Sequence, residues 1–157
     1  MHACPCGFQS DPTRECRCTG AMIQRYTGKL SGPLLDRIDL HIEVPAVPYK
    51  ELRGRDDGVT SATIRERVSE ARAIQRKRGY YNAHIPAAQL RAFCGLDEAG
   101  ERTLEMAVRR LGLSARAHDR ILKVARTIAD LDHAASISAK HLAEAVQYRS
   151  LDRQYWS

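Results

Sequence analysis

No apolar run in this sequence approaches the roughly 20 residues that cross a bilayer, which excludes a membrane-spanning helix. The opening residues, Met1-His2-Ala3-Cys4-Pro5-Cys6, hold no apolar stretch of the secretion-signal kind, so a cytoplasmic location is expected. There is no glycine-rich loop ending in Gly-Lys-Ser or Gly-Lys-Thr, and hence no Walker-type phosphate cradle. A zinc-protease helix motif, a nucleophile elbow and a Ser/His/Asp set are also missing, and the six histidines are scattered. Internal repeats and low-complexity tracts are absent, which removes the solenoid class. These residues do not compose a complete active site by themselves.

What is present is enough for a folded core. The chain has 157 residues, of which 43% are hydrophobic and 28% charged, with 25 Lys and Arg against 19 Asp and Glu. That length suits one ordinary domain, or a small domain plus part of another. The net charge of +6 is unevenly placed: residues 1–45 are neutral and residues 46–157 carry the whole excess. A basic second part fits a polyanionic partner, nucleotide or nucleic acid, although an excess of six is equally compatible with a plain solvated surface.

Three segments are read along the chain. In residues 1–45, a helix is expected over Ala21–Leu30, with Ile23, Tyr26 and Leu30 on one face. Gly32-Pro33 breaks it and Pro33 opens a second short helical turn. Leu40-His41-Ile42-Glu43-Val44 alternates apolar and polar and stops at Pro45, the pattern of a short strand. Residues 46–60, with Pro48, Gly54 and Asp56-Asp57-Gly58, read as a linker. Residues 61–157 read as a compact bundle of about five helices. The first runs from Ser61 to Lys77 with a capping box at Thr63–Glu66 and a stripe of Ile64, Val68, Ala71 and Ile74–Gln75. Gly79 stops it. A short helix opens at Pro86 and ends near Cys94. Three more are capped by Asp97, Ser114 and Ser138.

Four of the five cysteines form Cys4-x-Cys6 and Cys16-x-Cys18, separated by nine residues. Two close pairs joined by a loop are able to supply the four soft ligands that tetrahedral zinc takes. Free thiols or disulfides are the alternatives, and a cytosolic setting disfavours the last. With four thiolates the shell is closed, so such a zinc is structural. Cys94 reads as a buried thiol.

Two arginines stand apart. Arg37 lies in Leu34-Leu35-Asp36-Arg37-Ile38-Asp39-Leu40, where a guanidinium is able to reach a phosphate on a neighbouring molecule, or to pair with Asp36 or Asp39. Arg116 lies in the first turn after its Ser114 cap, where backbone N–H groups and the helix dipole favour an anion; Arg120 and Lys123 continue that face. A third cluster, Arg65, Arg72, Arg76, Lys77 and Arg78 followed by Tyr80-Tyr81, has the basic and aromatic composition of a nucleic-acid surface, and equally that of a charged exterior.

Taken together, Cys4-Pro5-Cys6-Gly7, Asp11-Pro12-Thr13, Cys16-Arg17-Cys18 and the run Leu30–Pro45 resemble the ComM/YifB proteins, magnesium-chelatase-related AAA+ ATPases. The likeness continues through Ser61–Val68, Leu111–Leu131 and Ala143–Leu151, and concerns the C-terminal part of that family. It implies a mainly α fold: the end of an AAA+ α/β core over residues 1–45, with a zinc-type cysteine hairpin, a helix and a short strand, then the linker, then a helical lid over 61–157. It implies that Arg37 is an arginine finger and Arg116 the sensor-2 arginine, with Arg120 beside it at the nucleotide. ATP and Mg²⁺ are the implied cofactors of the complete protein, zinc a structural one, and the implied partners are the rest of the AAA+ core, further copies in a hexameric ring, and DNA undergoing branch migration. The family's Asn-Pro before Cys-Pro-Cys-Gly is His2-Ala3 here, so its sensor-1 residue is replaced. Without Walker motifs the chain alone is expected neither to bind ATP tightly nor to hydrolyse it, and Met1 reads as a start placed at the edge of a cut. A free-standing nucleic-acid-binding module and a zinc-stabilised adaptor are the alternatives.

Overall fold

A computed structural model of the chain describes residues 2–9, 11, 13–44, 47 and 58–149. Most of the expected linker, and residues 150–157 of the expected lid, lie outside them. The described part is mainly helical and contains no strand. Helix α1 spans Gly20–Thr27 and α2 Gly32–Leu35. Helix α3 covers Ser61–Arg78, and 3-10 turns at Asn82–His84 and Ala87–Gln89 lead into α4, Leu90–Phe93. Helices α5 (Glu98–Leu111), α6 (Ala115–Leu131) and α7 (Ala139–Gln147) complete it.

Local chemistry sets most of the ends. Asp97 accepts the Gly100 N–H at 2.7 Å to start α5, and Ser114 accepts the Ala117 N–H at 3.1 Å to start α6. Helices α3 and α5 end at Gly79 (φ +91°) and Gly112 (φ +61°), left-handed positions where a side chain would be strained. Helix α7 carries a reciprocal box in which the Ser138 N–H donates to His141 Nδ1 at 3.0 Å. The box expected at Thr63–Glu66 is replaced by a simpler cap one position before the helix, where Thr60 Oγ1 accepts the Thr63 N–H at 3.2 Å.

Helix α6 is the centre of the bundle. Ile121, Leu122, Ala125, Ile128 and Ala129 are buried along it, against Leu142 and Ala145 of α7, Leu104 of α5, Leu90 of α4 and Ile85. This is an apolar stripe at helical period meeting its partners. Cys94 is inside this core, and burial pushes its thiol up to about 11, so it stays protonated and inert.

One polar cluster is buried with the apolar side chains. Asp130 is fully enclosed and accepts from Arg78 at 2.6 Å, from Asn82 Nδ2 at 2.7 Å and from Arg126 Nε at 3.1 Å. Arg126 also donates to the Ala134 and Ala135 carbonyls. Arg78 was expected beside Arg76 and Lys77 on the basic outer face. It is turned inward instead, because the last turn of α3 crosses the buried Asp130 and an unpaired carboxylate there is costly.

Two further expectations change. Leu40–Val44 has the alternation of a strand but is irregular. A ladder needs a neighbour, and none is present among the described residues; its one recorded main-chain partner is the Tyr148 carbonyl, which accepts the His41 N–H at 2.8 Å. In α3, the stripe of Ile64, Val68, Ala71 and Ile74 reaches the bundle only in its second half: Ser61–Glu70 is exposed throughout, and Ala71 and Gln75 are the buried residues.

Candidate functional site

The residues on either side of Arg37 are held by the helical bundle. Asp36 follows α2 and lies against the N-terminus of α6. Its carboxylate accepts the Ser114 hydroxyl at 3.0 Å, and it faces Arg116 at 3.7 Å and Arg149 at 3.5 Å. Ser114 therefore acts twice, accepting from the helix backbone and donating to Asp36. The anion favoured at this helix start by dipole and free N–H groups is the chain's own aspartate. Arg149, enclosed after α7, also donates to the Ile38 carbonyl. Asp39 pairs with Arg120 of α6. Residues 36, 38, 39 and 41 are thus each fixed to the bundle.

Arg37 is the exception. Its side chain is exposed and has no ion pair or hydrogen bond among the described residues, while its backbone N–H donates to the Leu34 carbonyl at 3.0 Å. Both carboxylates that were its alternative partners are taken by arginines of the bundle. Arg116 is also largely open, with 57% of its side chain exposed, and at 3.7 Å its contact with Asp36 is an ion pair without a hydrogen bond, so its donors remain available. Arg120 differs. It is 27% exposed and drawn to Asp39, which makes it a brace for the segment before it is a ligand for anything else. Beside these residues lies a cleft of about 630 Å³ lined by Asp39, Leu40, Arg116, Arg120, Lys123 and Tyr148.

The cysteines converge. Sγ of Cys4 lies 3.4 Å from Cys6 and 3.7 Å from Cys16, Cys6 and Cys16 are 3.7 Å apart, and all four sulfurs including Cys18 fall within 4.8 Å of one another. The Phe8 backbone N–H, aimed at Cys6 Sγ, and the neighbouring Cys4 thiol pull the Cys6 thiol down to about 6. Arg65, Arg72, Arg76 and Lys77 lie exposed on α3, and the Arg72 guanidinium sits 5.6 Å from the centre of the Tyr81 ring.

Residues 58–149 match the family signature described as magnesium chelatase, subunit ChlI C-terminal, and residues 1–52 match that of magnesium chelatase, subunit ChlI. The chain belongs to the magnesium-chelatase ChlI family. Within it, the chain is 47% identical over 139 residues to the competence protein ComM of Haemophilus influenzae, covering 87% of this chain and 27% of that protein. It is 46% identical over 139 residues to YifB of Escherichia coli and 45% to YifB of Salmonella typhimurium, covering 87% of this chain and 28% of each. The chain therefore spans little more than a quarter of the length of these ChlI-family relatives.

Family membership and geometry meet on the segment around Arg37. Sequence reasoning had singled out Arg37 and Arg116 but not the groups that hold them. Arg149 was missed because it follows the last helix with no local signal, and Asp36 and Asp39 were weighed only as partners of Arg37 because their actual partners are 75 or more positions away. Ser114→Ala removes both the α6 cap and the Asp36 hydrogen bond. It is expected to lower the stability of the bundle by about 0.5–2 kcal/mol in urea unfolding, and to speed amide exchange at Arg37 and Ile38.

Proposed function

We propose that this chain is the C-terminal part of a ring-forming AAA+ ATPase, in which it supplies arginines to a nucleotide held by the adjacent subunit. The observation that carries the reading is the contrast around Arg37: the segment is fixed to the bundle through Asp36, Ile38, Asp39 and His41, while the exposed Arg37 side chain has no ion pair or hydrogen bond among the described residues. A guanidinium without a counter-charge of its own, carried on a fixed backbone segment, is able to stabilise charge developing on a γ-phosphoryl group. Residues 1–45 are read as the end of the AAA+ core, 46–60 as its linker and 61–157 as its lid.

The same contacts favour one direction of action for Arg116. Asp36 joins α6 to the Arg37 segment in one chain, and both arginines are read as serving the neighbour's nucleotide. Arg120 steadies this pair through Asp39. ATP and Mg²⁺ are the cofactors of the complete protein. Zinc is a structural ion on Cys4, Cys6, Cys16 and Cys18. DNA is the substrate, supported by the exposed basic side chains Arg65, Arg72, Arg76 and Lys77 on α3.

Mixed rings test the proposal. Complete subunits bearing Arg37→Ala, and complete subunits unable to bind nucleotide, are each expected to be inactive. Mixed, they are expected to regain part of the turnover, because some interfaces then join an intact pocket to an intact Arg37. No recovery in rings shown to contain both subunits would overturn action across the interface.

A further inference from the structure

Residues 2–34 have almost no hydrophobic interior. Cys4 is the one buried residue among those described there, and α1 buries none of its eight residues. An eight-residue helix with no fully buried residue is marginal in water, so within this chain apolar burial alone does not hold the segment together. Yet its chain is tightly organised. The Gly7 N–H donates to the Cys4 carbonyl at 3.1 Å, and Gly7 takes a left-handed φ of +84° that closes the first turn. Asp11 Oδ1 accepts from the Thr13 and Arg14 N–H groups and closes the loop between the cysteine pairs. All of this surrounds the four sulfurs.

The sulfur positions are those of a metal shell. Sulfurs about 2.3 Å from a tetrahedral zinc lie about 3.8 Å from one another; those of Cys4, Cys6 and Cys16 are 3.4, 3.7 and 3.7 Å apart, and Cys18 lies within 4.8 Å of them. Backbone N–H groups of Phe8, Cys18 and Cys6 are directed at the sulfurs of Cys6, Cys16 and Cys18, the donors that thiolates bound to a cation accept. We infer that a tetrathiolate zinc centre stands where residues 2–30 lack a hydrophobic core, so that this segment is ordered only with metal while the helical bundle folds without it. The inference rests on the zinc reading above and adds the dependence of local folding on the ion. The bundle's independence follows from its own apolar cluster, to which no residue before Ile85 contributes a buried side chain.

The test uses the 157-residue chain purified under reducing conditions. One equivalent of zinc is expected to survive dialysis, and Co²⁺ put in its place is expected to show the intense ligand-field bands of a tetrahedral tetrathiolate. Cys16→Ser is expected to lose the metal, and Cys94→Ser to keep it. Hydrogen exchange then reads the second claim: removing the metal is expected to abolish protection of the α1 amides and to leave α5, α6 and α7 unchanged. Absence of stoichiometric zinc or cobalt, or disulfides among these cysteines in reduced protein, overturns the metal centre itself. Bound metal with α1 exchange unaltered by its removal leaves the zinc reading standing and overturns its role as the core. Loss of protection in α6 on metal removal overturns the independence of the bundle.

Discussion

Asp130→Ala is expected to destabilise the bundle by about 3–5 kcal/mol, the range for removing one partner of a buried charge cluster. Asp130 is fully enclosed, and Arg126, its neighbour one turn earlier, is only 3% exposed. Without the carboxylate, Arg126 keeps its carbonyl contacts at Ala134 and Ala135 but loses its counter-charge, and Arg78 and Asn82 lose the acceptor that brings α3 onto α6. Against a typical domain stability of about 5–15 kcal/mol this loss is large. Asp130→Asn retains the shape and one acceptor oxygen and is expected to fall between the variant and the parent. Urea midpoints of the three proteins measure it; an Asp130→Ala midpoint equal to the parent's would show that the cluster does not hold α3 in place.

The second large effect is on chemistry. In the complete protein, Arg37→Ala is expected to reduce ATP turnover by about 10³–10⁵, the span associated with arginine fingers. The thermal midpoint of the helical bundle is expected not to move, because Arg37 makes no recorded contact there to lose. Arg37→Lys keeps the charge but not the planar fork, and is expected to recover little of the rate. Full turnover by Arg37→Ala in an assembled ring would sink the finger assignment. Together the two variants separate the arginines of this chain into those that hold the fold and those that act beyond it.

Much of the helical part was legible because its signals are short in range. Asp97, Ser114 and Ser138 announce helix starts within three residues, and Gly79 and Gly112 announce ends through a backbone angle that glycine adopts without strain. The four cysteines were legible as a set for the same reason, since each pair is two residues apart. Ile64 and Val68 misled because their spacing on α3 promises a buried face, whereas the first ten residues of that helix are exposed. Leu40–Val44 misled because alternation states which way side chains face, not whether a second strand is there to complete the ladder.

The sequence by itself determined where this chain becomes helical and which four sulfurs lie close along it, since caps, glycine stops and short spacings act between residues already joined by a few bonds. Only the tertiary structure decided which carboxylate each arginine meets. Arg37, Arg78, Arg116 and Arg120 are chemically alike; Arg78 meets an enclosed Asp130, Arg120 meets Asp39, Arg116 stands half-open beside Asp36, and Arg37 meets no counter-charge among the described residues. A guanidinium's role is set by the carboxylates that folding brings near it, and these lie tens of residues away in the chain.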